Sequence, residues 1–164
     1  MQQNSAPELA IKRADLNDPA VVAFLEAHHA DLIPTSPPES QHSLGVEELR
    51  AEGIRVWEAR FADQVAAVGA LAPIEPGHEE LKSMRTDPGL RGRGLGRRMV
   101  AHLVADARNR GVQRISLETG SDEFFAPARA LYENAGFTPC APFGTYTADP
   151  HSAYYLLDLT SADG

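Results

Sequence analysis

Residues 81–111, LKSMRTDPGLRGRGLGRRMVAHLVADARNRG, constrain this chain more than any other stretch. Residues 81–86 have the content of a short strand. Asp87-Pro88-Gly89 stops it, because proline fixes φ and glycine relieves the turn. Arg91-Gly92-Arg93-Gly94-Leu95-Gly96 follows, and its three glycines let bare backbone N–H groups come close to a ligand. Leu95, Met99, Val100, Leu103, Val104 and Ala107 recur at helical spacing, so a helix starts in or just after the glycines. Its first turn carries N–H groups without intrahelical partners and the positive end of the macrodipole. Arg91, Arg93, Arg97 and Arg98 add positive charge nearby. Strand, turn, glycine loop and helix together make an anion site, around which the remaining chain is built.

Two familiar phosphate loops fail against this stretch. The P-loop ends in Gly-Lys-Ser/Thr, and here the sequence is Gly-Arg-Arg. The dinucleotide pattern G-x-G-x-x-G, started at Gly92, meets Arg97 at its last position. What fits is Arg/Gln-x-x-Gly-x-Gly/Ala, as Arg91, Gly94 and Gly96. An Arg/Gly-rich RNA-binding loop or a plain helix cap is the rival. The helix that follows directly and the acidity of the chain both count against it.

The length of 164 residues suits one domain over residues 1–164 with a single core. A net charge of −8 and a pI near 5.2 argue against nucleic acid as a partner and suit a cationic or amine substrate. The lone Cys140 excludes an internal disulfide and a cysteine-based zinc site. No apolar run reaches the ~20 residues of a membrane span, and MQQNSAPELA lacks the basic and apolar regions of a signal peptide. No membrane association is expected, and a cytoplasmic location is the default.

Residues 1–7 are polar and are expected to fray. Residues 9–13 alternate as a first strand, and Asp18-Pro19 sets an N-cap before proline at the first helical position, for a helix to about residue 30. Residues 33–43, IPTSPPESQHS, read as a loop and residues 44–52 as a short helix. Residues 53–61, 65–71 and 79–86 read as an antiparallel meander, with turns at Asp63-Gln64 and over 73–78. After the long helix, residues 112–118 form a fifth strand, parallel to the fourth because a helix crosses between them. Residues 122–135 read as a second long helix, 137–140 as the start of a strand, 142–150 as a loop and 154–159 as the last strand. The fold class is α/β, with a mixed, mostly antiparallel sheet of six or seven strands and helices on both faces.

Ala128-Arg129-Ala130-Leu131-Tyr132-Glu133-Asn134-Ala135-Gly136-Phe137 matches every fixed position of A-x-x-L-Y-x-x-x-G-F. With the Arg91–Gly96 pattern before it, the chain resembles the GNAT superfamily of N-acetyltransferases, whose motifs A and B these are. The words LKSMRT, LETG and FAPARALYENAGF resemble a small bacterial branch called YsnE-like. The resemblance runs over about residues 9–159 and is firmest over 80–137. It implies the GNAT fold, acetyl-CoA as co-substrate, and a loop that grips the coenzyme pyrophosphate. Coenzyme contacts then fall on Met84, Arg85, Thr86, Arg91, Gly92, Arg93, Gly94, Leu95, Gly96 and Arg97. The backbone of residues 84–86 pairs with the pantetheine arm between splayed fourth and fifth strands. One departure stands out: many members carry Asn three residues before Ala128, where this chain has Phe125. A homodimer is common in the superfamily, and this sequence gives no separate signal for one.

Acetyl transfer to an amine needs the amine to lose a proton from a group titrating at about 10.4. It also needs a donor for the developing oxyanion and a proton for the departing thiolate. Tyr132 stands at the motif B tyrosine, which in the family points at the coenzyme sulfur, and is the expected acid. The alternative is a ring that only packs on the sheet. Glu80, eleven residues before Arg91, is the expected base, since a glutamate at that offset serves the histone-modifying branch. Glu118 is its rival, and a water chain is the family's other solution. Glu79 would face the opposite side of the strand. His42 and Trp57, with Glu118, are candidates for the acceptor pocket, which residues 33–44 and 142–151 should wall. His28 and His29 point about 100° apart on a helix and form no metal pair, His78 reads as a turn residue, and no metal is expected. The expected activity is acetyl transfer from acetyl-CoA to a small-molecule or peptide amine. A non-catalytic acyl-CoA-binding module, and transfer to a hydroxyl or from another acyl-CoA, are the rival readings.

Overall fold

The expected meander forms. β2 (Arg55–Phe61), β3 (Gln64–Glu75) and β4 (His78–Thr86) pair antiparallel in that order, and β1 (Leu9–Arg13) pairs antiparallel on the outer edge of β2. The computed structural model describes residues 8–32, 46–90 and 92–160, with backbone alone for 28–32. The loop expected at 33–43, with His42, and the loop residue Arg91 lie outside the described residues. β3 runs to Glu75, past the expected end at Leu71. Pro73 was expected to turn the chain, but it keeps its place opposite Glu79, because a bulge between Pro73 and Glu75 absorbs the missing donor. His78, expected in the turn, opens β4 instead.

α3 (Leu95–Asn109) carries the chain from β4 to β5 (Arg114–Gly120), and the crossover makes that pair parallel. β7 (Ser152–Asp158) pairs antiparallel with β5, and the short β6 (Thr138–Pro139) with β7. Among the described residues the result is a seven-stranded sheet in the order β1-β2-β3-β4-β5-β7-β6.

Alternation along the strands sorts residues onto two cores. On one face, Leu71, Leu81, Ile115 and Leu117 pack under Met99, Val100, Leu103 and Ala107 of α3 and under Tyr132 of α4 (Ala126–Asn134). On the other, Val56, Val65, Val68 and Ala70 meet Val21 and Leu25 of α1 (Pro19–Leu32) and Leu49 of α2 (Val46–Leu49). The helix expected over 122–135 divides in two. Asp122 caps a 3-10 turn at Glu123–Phe125 by accepting from the Phe124 N–H at 2.9 Å, and the α-helix proper starts at Ala126. Pro127 explains the division, since proline fits only the first turn of an α-helix. Among the described residues no helix is long and apolar enough to cross a membrane.

Candidate active site

The parallel pair at the centre of the sheet is incomplete. β4 and β5 are joined through three residue pairs, His78–Arg114, Glu79–Ile115 and Glu80–Ser116. Beyond Glu80 the strands part, so among the described residues the edge of β4 over residues 81–86 has no neighbouring strand on that side. A bulge sits in the same stretch: Val68 pairs with Arg85 and Ala70 with Lys82, leaving Ser83 and Met84 opposite the single Gly69. Ser83 carries φ 58°, an uncommon backbone for a non-glycine residue and one that recurs at functional sites. The bulge flips the alternation, so that Met84 points at the α3 face while Lys82, two residues earlier, points at the α1 face.

α3 begins beside this split. Gly94 stands at its N-cap with φ 75° and ψ 16°, left-handed backbone that suits glycine, and its carbonyl accepts the first helical bond from the Arg98 N–H at 3.0 Å. Gly92 has φ 83°. Gly96 is needed for a different reason: a Cβ there would lie 3.1 Å from Leu131 Cδ2, so the small residue lets α3 start close against α4. A cavity of about 750 Å³ opens here. Its walls are the β4 edge at Met84, Arg85 and Thr86, the loop and helix start at Gly92, Gly94, Leu95, Gly96 and Arg97, and the α4 side from Phe124 to Ala135, Tyr132 included. The donors of the helix start therefore face one part of a cavity whose other walls are largely apolar.

Tyr132 is 5% exposed, its ring set edge-on to Phe137 at 5.9 Å between centroids. Burial pushes its phenol well above the usual tyrosine range, so the hydroxyl keeps its proton at neutral pH. Phe125, which stands where the motif resemblance implies Asn, lines the cavity and meets Phe124 edge-on at 5.0 Å. Its ring crowds Gly120 at the end of β5: a Cβ on Gly120 would stand 1.9 Å from Phe125 Cδ2. Gly120→Ala should thus drive Phe125 out of place and cost about 1–3 kcal/mol by overpacking. Thermal unfolding checks this, and Gly120→Ala should cost less in a Phe125→Ala background than in the wild type.

On the opposite face of the sheet, Glu80 stands at the last rung before the split. Its Oε2 accepts from Lys82 Nζ at 2.9 Å and from the Tyr146 hydroxyl at 2.6 Å. Glu118 of β5 accepts from Ser152 Oγ at 2.6 Å and bears electrostatically on Tyr146 and Tyr154. Glu79 turns the other way, as alternation requires, and takes a two-pronged bond from Arg110 of α3 at 2.8 Å on each oxygen.

The structure thus gathers Met84, Arg85, Thr86, Gly92, Gly94, Leu95, Gly96, Arg97 and Tyr132 around one cavity, with Glu80 and Glu118 on the other face of the sheet, both bearing on Tyr146. Arg93 is exposed and is not among the cavity walls. Trp57 lies elsewhere: it sits on β2 against the α3 face, 4.3 Å from the His102 ring centroid, with Arg13 and Arg55 guanidinium groups over its ring. His78 is 6% exposed, with Nε2 2.7 Å from Ser116 Oγ and Nδ1 3.2 Å from Glu75 Oε2. Among the described residues no cluster of His, Cys, Asp or Glu is arranged to hold a metal ion. Sequence reasoning missed Tyr146, Lys82 and the Ser83 bulge. It marked 142–151 as a wall of the site, but nothing in the sequence distinguishes Tyr146 from its neighbours.

Comparison with known proteins agrees with this geometry. The chain is 42% identical over 149 residues to the uncharacterized N-acetyltransferase YsnE of Bacillus subtilis (strain 168), covering 91% of this chain and 99% of that one. Among solved structures it is similar to a putative acyl-CoA N-acyltransferase from Klebsiella pneumoniae, with TM-score 0.73 and 26% identity, covering 92% of this chain and 97% of that one. It shares its fold with yncA from Salmonella typhimurium, solved with its cofactor acetyl-CoA, at TM-score 0.70 and 19% identity, covering 94% and 96%. Residues 19–137, which span the split sheet, the glycine loop and Tyr132, match the Acetyltransferase (GNAT) family, and the chain belongs to it.

Proposed function

We propose that this protein moves the acetyl group of acetyl-CoA to the amine of a small molecule or peptide by direct attack. The observation that carries the reading is the continuity of one cavity from the helix start at Gly94 to the open edge of β4 and the Tyr132 ring. The residues present suit acetyl-CoA. A glycine-lined helix start offers N–H donors to a diphosphate, Arg97 adds charge, and an unpaired strand edge offers backbone groups to an amide-bearing arm. Acetyl-CoA, when bound, supplies the activated thioester.

The chain's own groups do the rest. Residues 94–97 hold the diphosphate. The backbone at Met84, Arg85 and Thr86 orients the pantetheine arm, and an N–H in this stretch holds the acetyl oxygen. Tyr132 gives its proton to the leaving sulfur, and burial suits the phenol to that task by keeping it protonated. Glu80 takes the proton of the incoming amine.

The test is thiol release from acetyl-CoA in the presence of spermidine, agmatine, L-lysine or a tetrapeptide beginning with Ala. Turnover above the no-acceptor background by at least one of them is the expected result. Silence across the panel with acetyl-CoA bound in calorimetry would favour a binding module instead. Silence without binding would remove the reading of the glycine loop.

A further inference from the structure

We propose that Tyr146 is a positioning residue for the acceptor side of the site, holding Glu80 by one carboxylate oxygen and leaving the other to receive a cationic amine. The inference rests on the acetyl-transfer reading with Glu80 as base, and deepens it.

Tyr146 reaches Glu80 across 66 residues of chain, and specific contacts bring it there. Residues 142–150 fold back over β5 and β7. Phe143, Tyr146 and Tyr154 pack edge-on or tilted, with ring centroids 5.0, 5.8 and 6.0 Å apart. The Tyr154 hydroxyl ties the segment down by donating to the Thr147 carbonyl at 2.9 Å. This anchoring sets the Tyr146 hydroxyl 2.6 Å from Glu80 Oε2. Lys82 Nζ closes the arrangement, donating to the same Oε2 at 2.9 Å and to the Tyr146 oxygen at 3.0 Å, 5.6 Å from the ring centroid.

Both donors meet on Oε2, and among the described residues Oε1 accepts no hydrogen bond. The Glu80 and Lys82 side chains are 12% and 11% exposed, so a carboxylate here is costly unless it is bonded. Two donors on one oxygen satisfy that need and fix the plane of the group. Burial, followed by the Glu80 and Glu118 carboxylates, pushes the Tyr146 phenol far up, so it serves Glu80 as a donor throughout the neutral range. Glu80 also occupies the last rung before β4 and β5 part, which places its carboxylate next to the start of the split. A protonated amine matches Oε1 in charge, and Glu118, whose carboxylate also bears on Tyr146, disfavours an acceptor that brings its own carboxylate.

The test uses the full chain with spermidine and agmatine as acceptors. Tyr146→Phe keeps the ring cluster and loses only the hydroxyl. It should lower kcat about tenfold or more with both amines, with acetyl-CoA affinity unchanged and the thermal midpoint lowered by no more than the loss of one hydrogen bond explains. Glu80→Gln should lower kcat further, and adding Tyr146→Phe to it should change nothing more, because the hydroxyl acts through the carboxylate. An equal loss from Tyr146→Phe in both backgrounds, or no loss in either, overturns the proposal while acetyl transfer stands. A protein that binds acetyl-CoA and turns over neither amine also overturns it. Wild-type rates in Glu80→Gln would remove the base assignment itself, a result distinct from failure at Tyr146.

Discussion

Tyr132→Phe is expected to lower kcat by about 100-fold or more, the usual worth of a positioned proton donor. The substitution removes one oxygen from a ring that is 5% exposed and packed on Phe137, so the packing on both sides survives. Acetyl-CoA affinity should change little, because the apolar wall of the cavity remains and the phenol is not among the groups assigned to the diphosphate. The two halves of the prediction separate the roles this tyrosine can play. A ring that only packs would leave turnover unchanged in the Phe variant, and a ring that only binds would change affinity instead. Thiol release and calorimetry on the same preparation decide between them.

The second large effect is expected at Gly94. Its φ of 75° lies where a β-branched side chain is strained, and its carbonyl starts α3. Gly94→Val must either hold that strain or let the first turn rearrange, and either way the N–H groups leave the geometry that grips an anion. A loss of about 3 kcal/mol in binding, more than 100-fold in acetyl-CoA dissociation constant, is expected by calorimetry. Gly111 supplies the control. It too has positive φ, at 84°, but it closes the far end of α3 with nothing within 4 Å of a would-be Cβ. Gly111→Ala should lower the thermal midpoint through the same kind of strain and leave coenzyme affinity alone. If Gly94→Val still binds acetyl-CoA as the wild type does, the loop assignment is wrong.

Much of this architecture was legible because local chemistry and global fold agree. The run from Leu95 to Ala107 has one apolar stripe, and that stripe is the buried face of α3. The meander was readable from alternation and turn residues, and the parallel pair from the helix lying between its strands. The misreadings have local physical causes. Pro73 looked like a stop, but a bulge lets a strand carry proline. The helix at 122–135 looked continuous, but a proline near its start divides it into a 3-10 turn and an α-helix. The site splits along the same line. Residues set by local backbone, such as Gly94 and Gly96, could be found in the sequence. Tyr146 meets Glu80 only through long-range folding of an irregular segment, and no spacing rule encodes that. The Phe125–Gly120 contact was half visible: the unusual Phe could be seen, but not the glycine that makes room for it.

The parting of β4 and β5 bears on how such a protein avoids sticking to itself. An exposed strand edge on a protein surface is a template for any passing strand, and chains that leave one open tend to join edge to edge. Here the unpaired edge is half-buried. It lies at the floor of a cavity, under α4 and beside the start of α3, between strands that are locked together at their other ends by the pairs from His78 to Glu80. A second polypeptide would have to bring side chains on both its faces into that slot, between α4 and the start of α3. A slender, unbranched arm with its own amide groups meets no such obstacle. The fold thus keeps the adhesive quality of an open edge and restricts, by shape alone, what can make use of it.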